Sequence, residues 1–209
     1  MARPRVPLIE RSAVVATALA IIDRDGLDGF SIRKIAAELG VNGASLYHHF
    51  RDKDAILHGV RLLIVRESEL AQPPSPGESW PDSLRRMTLG YREALLRHPN
   101  AIPLMAPNIL LRPFSLSLRD SIADTLLAGG VPADLTLPII DSVESLVYAS
   151  ALLNPEQLGP RARLPLLPTD EVPSLARALV AAPTSAQATF DVQLDALIGG
   201  WAALVSLSA

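Results

Sequence analysis

Apolar residues recur along the chain with the spacing of α-helices. Val15, Ala18, Leu19 and Ile22 fall at positions i, i+3, i+4 and i+7, the stripe with which a helix buries one face. Similar patterns cover about residues 32–39, 53–70, 80–98, 114–128, 134–153 and 185–206, with a short helix over about 42–49. No useful stretch alternates with the two-residue period of a strand, so the pattern predicts an all-α protein.

Local signals mark the ends of the first helices. Gly26 can end the first helix in the left-handed conformation. Ser31 is a good N-cap for the second helix, and Asp52 for the helix that begins near Lys53. Gly40 permits a sharp turn between the second and third helices.

Proline-rich segments divide the rest of the chain. Residues 71–79, AQPPSPGES, have the composition of a turn or linker. Residues 154–173 contain five prolines without a clear period and are predicted to form a loop. The pattern predicts a head at 1–52, a connecting helix at 53–70 and a larger helical body at 71–209.

Composition narrows the possible functions. The 209 residues are 49% hydrophobic but only 4% aromatic, so an aliphatic core is expected. The chain has no Cys, which excludes disulfides and thiol chemistry. We find no secretion signal and no run close to the roughly 20 apolar residues of a membrane span, so we expect a soluble, cytoplasmic protein without a membrane partner.

Charge is distributed unevenly between head and body. Residues 1–66 carry ten Lys or Arg and seven Asp or Glu, whereas the remainder carries nine and fifteen. A basic head on an acidic body indicates that only the head meets a polyanion.

The segment GVNGASLYHHFRDKD at 40–54 fits the second half of a helix-turn-helix. Small residues at the start of its helix allow close approach to bases in a major groove about 12 Å wide. Tyr47 and His49 at its end can donate to phosphates.

Arg33, Lys34 and Lys53 lie at helix starts, where cations are unfavourable unless a polyanion offsets the cost. The alternatives are that Tyr47 and Phe50 are core aromatics, that His48 and His49 are solvated, and that Arg33 is an ordinary surface charge. Adjacent histidines without a completing ligand predict no metal site.

The stretch ALAIIDRDGLDGFSIRKIAAELGVNGASLYHHFRDKDAIL resembles the DNA-binding domain of TetR-family transcriptional regulators, closely over residues 11–60. GESWPDSLRRMTLGYREALLRHPNA at 77–101 and FDVQLDALIGGWAAL near the end resemble the regulatory domain of the Tet repressor subgroup, more weakly. The resemblance implies a DNA-binding domain, a small-molecule pocket and a homodimer.

The resemblance implies base-edge contacts by Arg33, Gly43, Ala44 and Ser45, and phosphate contacts by Ser31, Tyr47, His49 and Lys53. Gly43 stands where the Tet repressor subgroup has a long polar side chain, so a different operator is expected. Arg33 is the candidate for bidentate recognition of a guanine. The predicted DNA-binding set is Ser31, Arg33, Lys34, Asn42, Gly43, Ala44, Ser45, Tyr47, His48, His49 and Lys53.

An effector pocket is expected among the helices that begin at Trp80 and near 134, and around 101–118. The resemblance places Met105 where the Tet repressor subgroup has a magnesium-binding histidine, and Met87 at a polar drug contact. We therefore expect no metal and no other cofactor, but an apolar or aromatic effector. The candidate residues are Tyr91, His98, Asn100, Met105, Asn108, Arg112, Phe114, Glu144 and Tyr148.

A dimer interface is predicted from the apolar faces of two helices, with Gly199 and Gly200 allowing close approach. The alternative is that these residues form a core within one chain. The predicted interface residues are Ile140, Val143, Val147, Phe190, Leu194, Leu197, Ile198, Trp201 and Val205.

These patterns predict a ligand-responsive regulator, a repressor by default, that binds a palindromic double-stranded operator as a homodimer. Activation remains open, as does a vestigial pocket with control by a protein partner. A sequence-independent DNA-packaging protein is a further alternative, although the acidic body opposes it. An enzyme is not expected, because the sequence shows no nucleophile elbow, Walker motif or metal-ligand cluster.

Overall fold

The computed structural model describes residues 10–68, 70, 72–105, 113–153, 158–166 and 168–208. Within these ranges every regular element is helical, as the sequence predicted. The α-helices are α1 (Arg11–Gly29), α2 (Ile32–Glu38), α3 (Gly43–Tyr47), α4 (Lys53–Arg66), α5 (Trp80–Arg97), α6 (Ile102–Met105), α7 (Pro113–Ala128), α8 (Ala133–Leu152), α9 (Pro173–Ala181) and α10 (Ala186–Ser208). Two 3₁₀ segments, Pro99–Ala101 and Pro160–Leu166, connect them.

Helices α1 to α4 share a small apolar core. Ile22, Ile35, Leu46 and Ile56 are each at most 1% exposed, and α1 packs along α4 while α2 packs on α3. Helix α4 continues into the body, where it contacts α5 and α6. The head therefore rests on a helix that also belongs to the wall of the body.

The body is a helical bundle in which α5 packs against α7, α8 and α10. Leu95, Leu126, Ile139 and Leu194 are fully buried, and Phe190 is 1% exposed. Helices α8 and α10 also pack on each other. The aliphatic core that the composition predicts lies between these four helices.

Several predicted features of the helix ends are confirmed. Gly40 has φ +65° in the turn after α2. The predicted end of the first helix at Gly26 is wrong in part, because Gly26 has φ +75° and interrupts the helical geometry but α1 extends to Gly29. Ser31 and Asp52 accept hydrogen bonds from the backbone N–H of Lys34 and Ala55. These caps satisfy N–H groups that a helix N-terminus leaves without partners.

The predicted loop at 154–173 is wrong in part, because Pro160–Leu166 forms a 3₁₀ segment and Pro173 begins α9. Proline is well tolerated in the first turn of a helix, where its missing N–H costs nothing. None of the α9 side chains is fully buried. Residues 154–157 and 167 lie outside the described residues.

Two helices, α8 and α10, are long and apolar enough to cross a membrane by length and composition, contrary to the expectation that no such run exists. Only 33% and 22% of their most apolar windows are buried. One face of each helix forms the core of the bundle, and the other face is exposed and carries apolar residues beside polar ones. A core helix of a soluble protein can be equally long and apolar, so this finding is only weak evidence that α8 or α10 crosses a membrane.

Candidate nucleic-acid interface and internal cavity

Helices α2 and α3 are joined by a tight turn that is fixed by backbone hydrogen bonds. Val41 N–H donates to the Ala36 carbonyl at 2.9 Å, and Asn42 Oδ1 accepts from Ala44 N–H at 2.9 Å. Ala36 is buried, and a Cβ on Gly43 would lie 4.0 Å from its Cβ. The small side chains therefore let α3 sit close to α2, in the helix-turn-helix arrangement.

The outer face of this unit carries most of the predicted DNA-binding set. Arg33, Asn42, Ala44, Tyr47 and His48 are exposed, and Ser31, Gly43, Ser45 and His49 are half-buried. Arg33 forms no hydrogen bond or ion pair with any residue that the structure describes. Its guanidinium is thus available to a ligand beyond the protein surface.

Two lysines of the predicted DNA-binding set, Lys34 and Lys53, are engaged within the head. Lys34 Nζ lies 2.9 Å from Asp25 Oδ2, and hydrogen bonds from Arg24 and Lys34 hold the pKa of Asp25 below its ordinary value. Lys53 Nζ donates to the Phe30 carbonyl at 3.3 Å and lies 4.9 Å from the centroid of its ring. Both ammonium groups are therefore oriented before any DNA arrives.

Arg11 is a further cation of this face that the sequence did not single out. Its guanidinium lies over the Phe50 ring at 4.4 Å and donates to the His49 carbonyl. The contact joins the start of α1 to the end of α3 across 38 residues of sequence. No local pattern around Arg11 indicates it.

An internal cavity of ≈ 50 Å³ lies between α4, α5, α7 and α8. Its lining is mostly apolar and includes Leu84, Met87, Leu118, Ile122, Ile140 and Val143. Sites for drug-sized ligands typically measure roughly 300–1,000 Å³. The cavity is therefore much smaller than such a site, and a ring-sized ligand must displace side chains to enter.

Four predicted pocket residues, Tyr91, Met105, Glu144 and Tyr148, line this cavity. Their contact with an effector stays a prediction. Asn108 and Arg112 lie outside the described residues, and Phe114 lies in α7 with its side chain outside the description.

His98 and Asn100 lie elsewhere, which corrects their predicted place in the pocket. His98 Nδ1 lies 2.8 Å from Asp23 Oδ2, and its Nε2 lies 3.0 Å from Glu67 Oε2. Asn100 Nδ2 donates to the Asp23 carbonyl at 2.8 Å. Both residues follow the last turn of α5, so their side chains reach the head and form a polar bridge between head and body.

A hydroxyl relay crosses the cavity wall. Tyr148 donates to the Met105 carbonyl at 2.8 Å, and the Tyr91 and Tyr148 hydroxyl oxygens lie 2.7 Å apart. The two rings are perpendicular, with centroids 6.1 Å apart. Burial raises the pKa of Tyr148 to about 12 and that of Tyr91 well above its ordinary value. Both hydroxyls are therefore protonated at neutral pH.

An ionic cluster that the sequence did not indicate adjoins the relay. Arg119 on α7 donates to Glu144 and Asp141 on α8. Burial raises the pKa of Glu144 above its ordinary value. Arg119 also lines an open cleft on the outer surface of α7 and α8, so it separates the cavity from solvent.

Helix α6 is tied to both the cavity and α4. The buried Arg61 on α4 lines the cavity, and its Nε donates to the Leu104 carbonyl at 3.1 Å. The neighbouring Met105 carbonyl accepts from Tyr148. A displacement of α6 by a ligand would therefore act directly on the helix that supports the head.

The residues predicted for a dimer interface mostly face the chain's own core. Those buried within the single chain are Ile140, Val143, Val147, Phe190, Leu194, Ile198 and Val205. Leu197 and Trp201 are half-buried, and Trp201 Nε1 donates to Ser142 Oγ at 2.9 Å. The interface assignment of the buried residues is thus corrected, because the most regular apolar stripe of each helix faces inward.

The opposite face of α10 is exposed and includes apolar and small residues. Val192, Leu204 and Leu207 are 60%, 48% and 85% exposed, and no atom lies within 4 Å of a Cβ built on Gly199 or Gly200. Across the described ranges no group of three His, Asp or Glu side chains could hold a metal ion.

Two family models match the chain. The model for bacterial regulatory proteins of the tetR family matches residues 14–60. The model for the tetracyclin repressor-like C-terminal domain matches residues 73–205. Together they include α2 and α3, most residues of the cavity lining and most of α10.

Named relatives agree with these matches. The class D tetracycline repressor of Escherichia coli is 34% identical over 90 residues, which span 43% of this chain and 41% of that repressor. The chain therefore covers about two fifths of that relative's length. An HTH-type transcriptional regulator of Saccharopolyspora erythraea is 29% identical over 96% of this chain and 88% of its own.

Solved structures show the same fold over nearly the whole chain. Apo ActR from Streptomyces coelicolor is 27% identical and aligns over 98% of this chain and 99% of its own, with a TM-score of 0.77. ActR in complex with actinorhodin is 25% identical and aligns over 98% of this chain and 100% of its own, with a TM-score of 0.78. The chain belongs to the TetR family of transcriptional regulators.

Proposed function

We propose that the protein is a repressor that binds a palindromic operator as a homodimer and is released by a small apolar or aromatic effector. One observation carries the proposal: two residues that line the apolar cavity hold α6 in place by hydrogen bonds. Arg61 holds α6 against α4, the helix that supports the head, and Tyr148 holds it against α8. Ligand entry and the position of α3 are thereby mechanically linked.

In this proposal α3 enters the major groove. Gly43, Ala44 and Ser45 at its start keep the backbone close to the base edges. Arg33 is exposed and uncommitted among the described residues, which suits it to guanine O6 and N7. The exposed Tyr47 donates to a phosphate, so the protein reads bases near the start of α3 and the DNA backbone near its end.

The exposed faces of α8 and α10 support a second copy of this chain as partner. Leu137 and Leu152 of α8 are 56% and 44% exposed, and Val192 and Leu204 of α10 are 60% and 48% exposed. Two such helix pairs can form a four-helix interface around a twofold axis. A dimer would place two recognition helices about 34 Å apart, the spacing of successive major grooves.

Release by a ligand follows from a shift between two conformations. A ligand that enlarges the cavity favours the state in which Met105 has moved, because the empty cavity is too small for a ring. Movement of Met105 displaces Leu104, and Arg61 transmits that displacement to α4. The recognition helices then no longer match the operator spacing, and the affinity for DNA falls.

A small molecule as the regulating ligand is supported by ActR, which was crystallised with actinorhodin and with (S)-DNPA. Met87 and Met105 in the cavity wall favour an apolar ligand over a metal complex. A regulator of this kind acts on DNA in the cytoplasm.

Selection of bound duplexes from a random pool tests the proposal. The full chain should enrich one palindromic sequence, and light scattering of the complex should give two chains per duplex. Apolar aromatic compounds that raise the melting temperature should also release that duplex. Binding without sequence preference would instead identify a packaging protein, and stabilisation only by a magnesium–drug complex would refute the apolar effector.

A further inference from the structure

Two hydroxyl groups in the cavity wall keep unused capacity to accept hydrogen bonds. Thr88 Oγ1 donates its only proton to the Leu84 carbonyl at 2.6 Å. Tyr148 donates its only proton to the Met105 carbonyl, so Tyr91 must be the donor in the bond between the two tyrosines. The oxygens of Thr88 and Tyr91 therefore retain lone pairs that accept nothing from the residues the structure describes.

The carboxylate of Glu144, whose side chain is 31% exposed, also has an oxygen that can accept a further hydrogen bond. Its Oε2 accepts from Arg119, whereas its Oε1 accepts no hydrogen bond from any described residue. Burial already raises the pKa of this carboxyl group. A ligand that donates to Oε1 would offset part of the cost of burying the charge.

Charge at the Arg119 end of the cavity disfavours an acidic ligand there. Arg119 faces two carboxylates, those of Glu144 and Asp141, and the other cation of the lining, Arg61, already donates to the Leu104 carbonyl. An anionic ligand at this end of the cavity would be repelled, and it would find the guanidinium already engaged. A neutral donor meets neither obstacle.

We propose that the effector is a neutral aromatic compound with at least two hydroxyl groups, which donate hydrogen bonds to Tyr91, Thr88 or Glu144. The apolar lining holds the rings, and the three acceptors select for O–H groups over ethers and acids. The inference rests on the proposed function, since it takes this cavity as the effector site. It narrows the effector from an apolar aromatic to a polyphenol.

Three naphthalenes that differ only in their substituents test the selection. The full-length protein is titrated calorimetrically with 2,7-dihydroxynaphthalene, 2,7-dimethoxynaphthalene and naphthalene-2,7-dicarboxylate. We expect the diol to bind roughly tenfold more tightly than either analogue, because it alone donates two hydrogen bonds. Equal binding of diol and diether, or tighter binding of the dicarboxylate, would overturn the inference and leave the aromatic effector standing. Absence of binding by all three would overturn both.

Isosteric variants test which residues make the cavity prefer the diol over the diether. Thr88→Val and Tyr91→Phe keep the shape of the wall and remove one acceptor each, and Tyr91→Phe also removes the hydrogen bond that Tyr91 donates to Tyr148. We expect each to weaken diol binding roughly three- to tenfold and to leave diether binding unchanged. Thr125→Val is the matched control, because Thr125 makes the same hydrogen bond to the preceding turn, at Ser121, on the exposed face of α7. Equal losses for both compounds, or no loss for either, would show that these hydroxyls do not select the ligand.

Discussion

The crossing of α1 and α4 offers the sharpest test of how the head is held. A Cβ built on Gly59 would lie 2.6 Å from Val15 Cγ2 and 3.5 Å from Val15 Cγ1. Non-bonded carbons prefer about 3.5–4.0 Å, and the χ1 angle of a helical valine has one strongly preferred value. Gly59→Ala must therefore separate the helices or strain Val15. Such overpacking typically costs about 1–3 kcal/mol.

The helix propensity of alanine opposes this cost. Alanine is favoured over glycine in a helix interior by about 1 kcal/mol. The net loss of unfolding free energy in Gly59→Ala is thus about 0–2 kcal/mol. In a Val15→Ala background both Cγ atoms are gone, and the nearest remaining atom of that side chain is the Cβ at 3.7 Å, an ordinary contact. There Gly59→Ala should stabilise the protein by up to about 1 kcal/mol.

Thermal and denaturant unfolding of the wild type, both single variants and the double variant measures this reversal of sign. The coupling energy should lie at about 1–3 kcal/mol. Operator affinity should fall in Gly59→Ala and recover in the double variant, because the same crossing positions the recognition helix. Additive effects of the two substitutions would show that the contact between Gly59 and Val15 does not determine the spacing of α1 and α4.

Three further outcomes are expected. Arg33→Ala should cost roughly 1–3 kcal/mol of operator binding and relax one base position; equal losses on all duplexes would make Arg33 a phosphate contact. Ala203→Asp on the exposed face of α10 should give monomers by light scattering, and a persistent dimer would move the interface elsewhere. Hydrogen bonds from Arg86 lower the pKa of Glu78 from 4.5 to about 2, so its ionised form stabilises the fold above pH 4.5 and this contribution is lost as the pH falls towards 2. Glu78→Gln should therefore lower the melting temperature at pH 7, with a difference that shrinks between pH 4.5 and 2; a constant difference would contradict this linkage.

Local features of this fold could be predicted because their partners are close in sequence. Ser31 and Asp52 each cap a helix through a residue three positions away, and Gly26 and Gly40 adopt backbone angles that suit glycine. The small residues around Gly43 likewise point to a close helix pair. Such signals need no knowledge of tertiary structure.

The periodicity of a helix shows that it has an apolar face but not which surface covers that face. Val143 and Ile198 were expected at a dimer interface, yet they are buried within the chain. The exposed face of α10 contains smaller and less regular apolar residues, including Gly200 and Ala203. The exposed face therefore could not be recognised from the sequence, because the apolar residues that face the core repeat more regularly.

Contacts between residues that are far apart in the sequence could not be predicted from local sequence patterns. Arg119 meets Glu144 across 25 residues, and Tyr91 meets Tyr148 across 57. The tyrosines were still predicted to lie in the pocket, through the family resemblance and not through their spacing. His98 was placed in the pocket by the same resemblance, although its partner Asp23 lies 75 residues away in the head.

That polar bridge has a consequence for building hybrid regulators. A DNA-binding head transplanted at residue 52 would carry Asp23 away from His98 and Asn100, which remain with the recipient body. The hybrid would keep a continuous α4 but lose the side-chain contacts of His98 and Asn100 with Asp23, which join the end of α5 to the head. Biosensor designs that exchange heads should therefore transfer these three residues as one matched set.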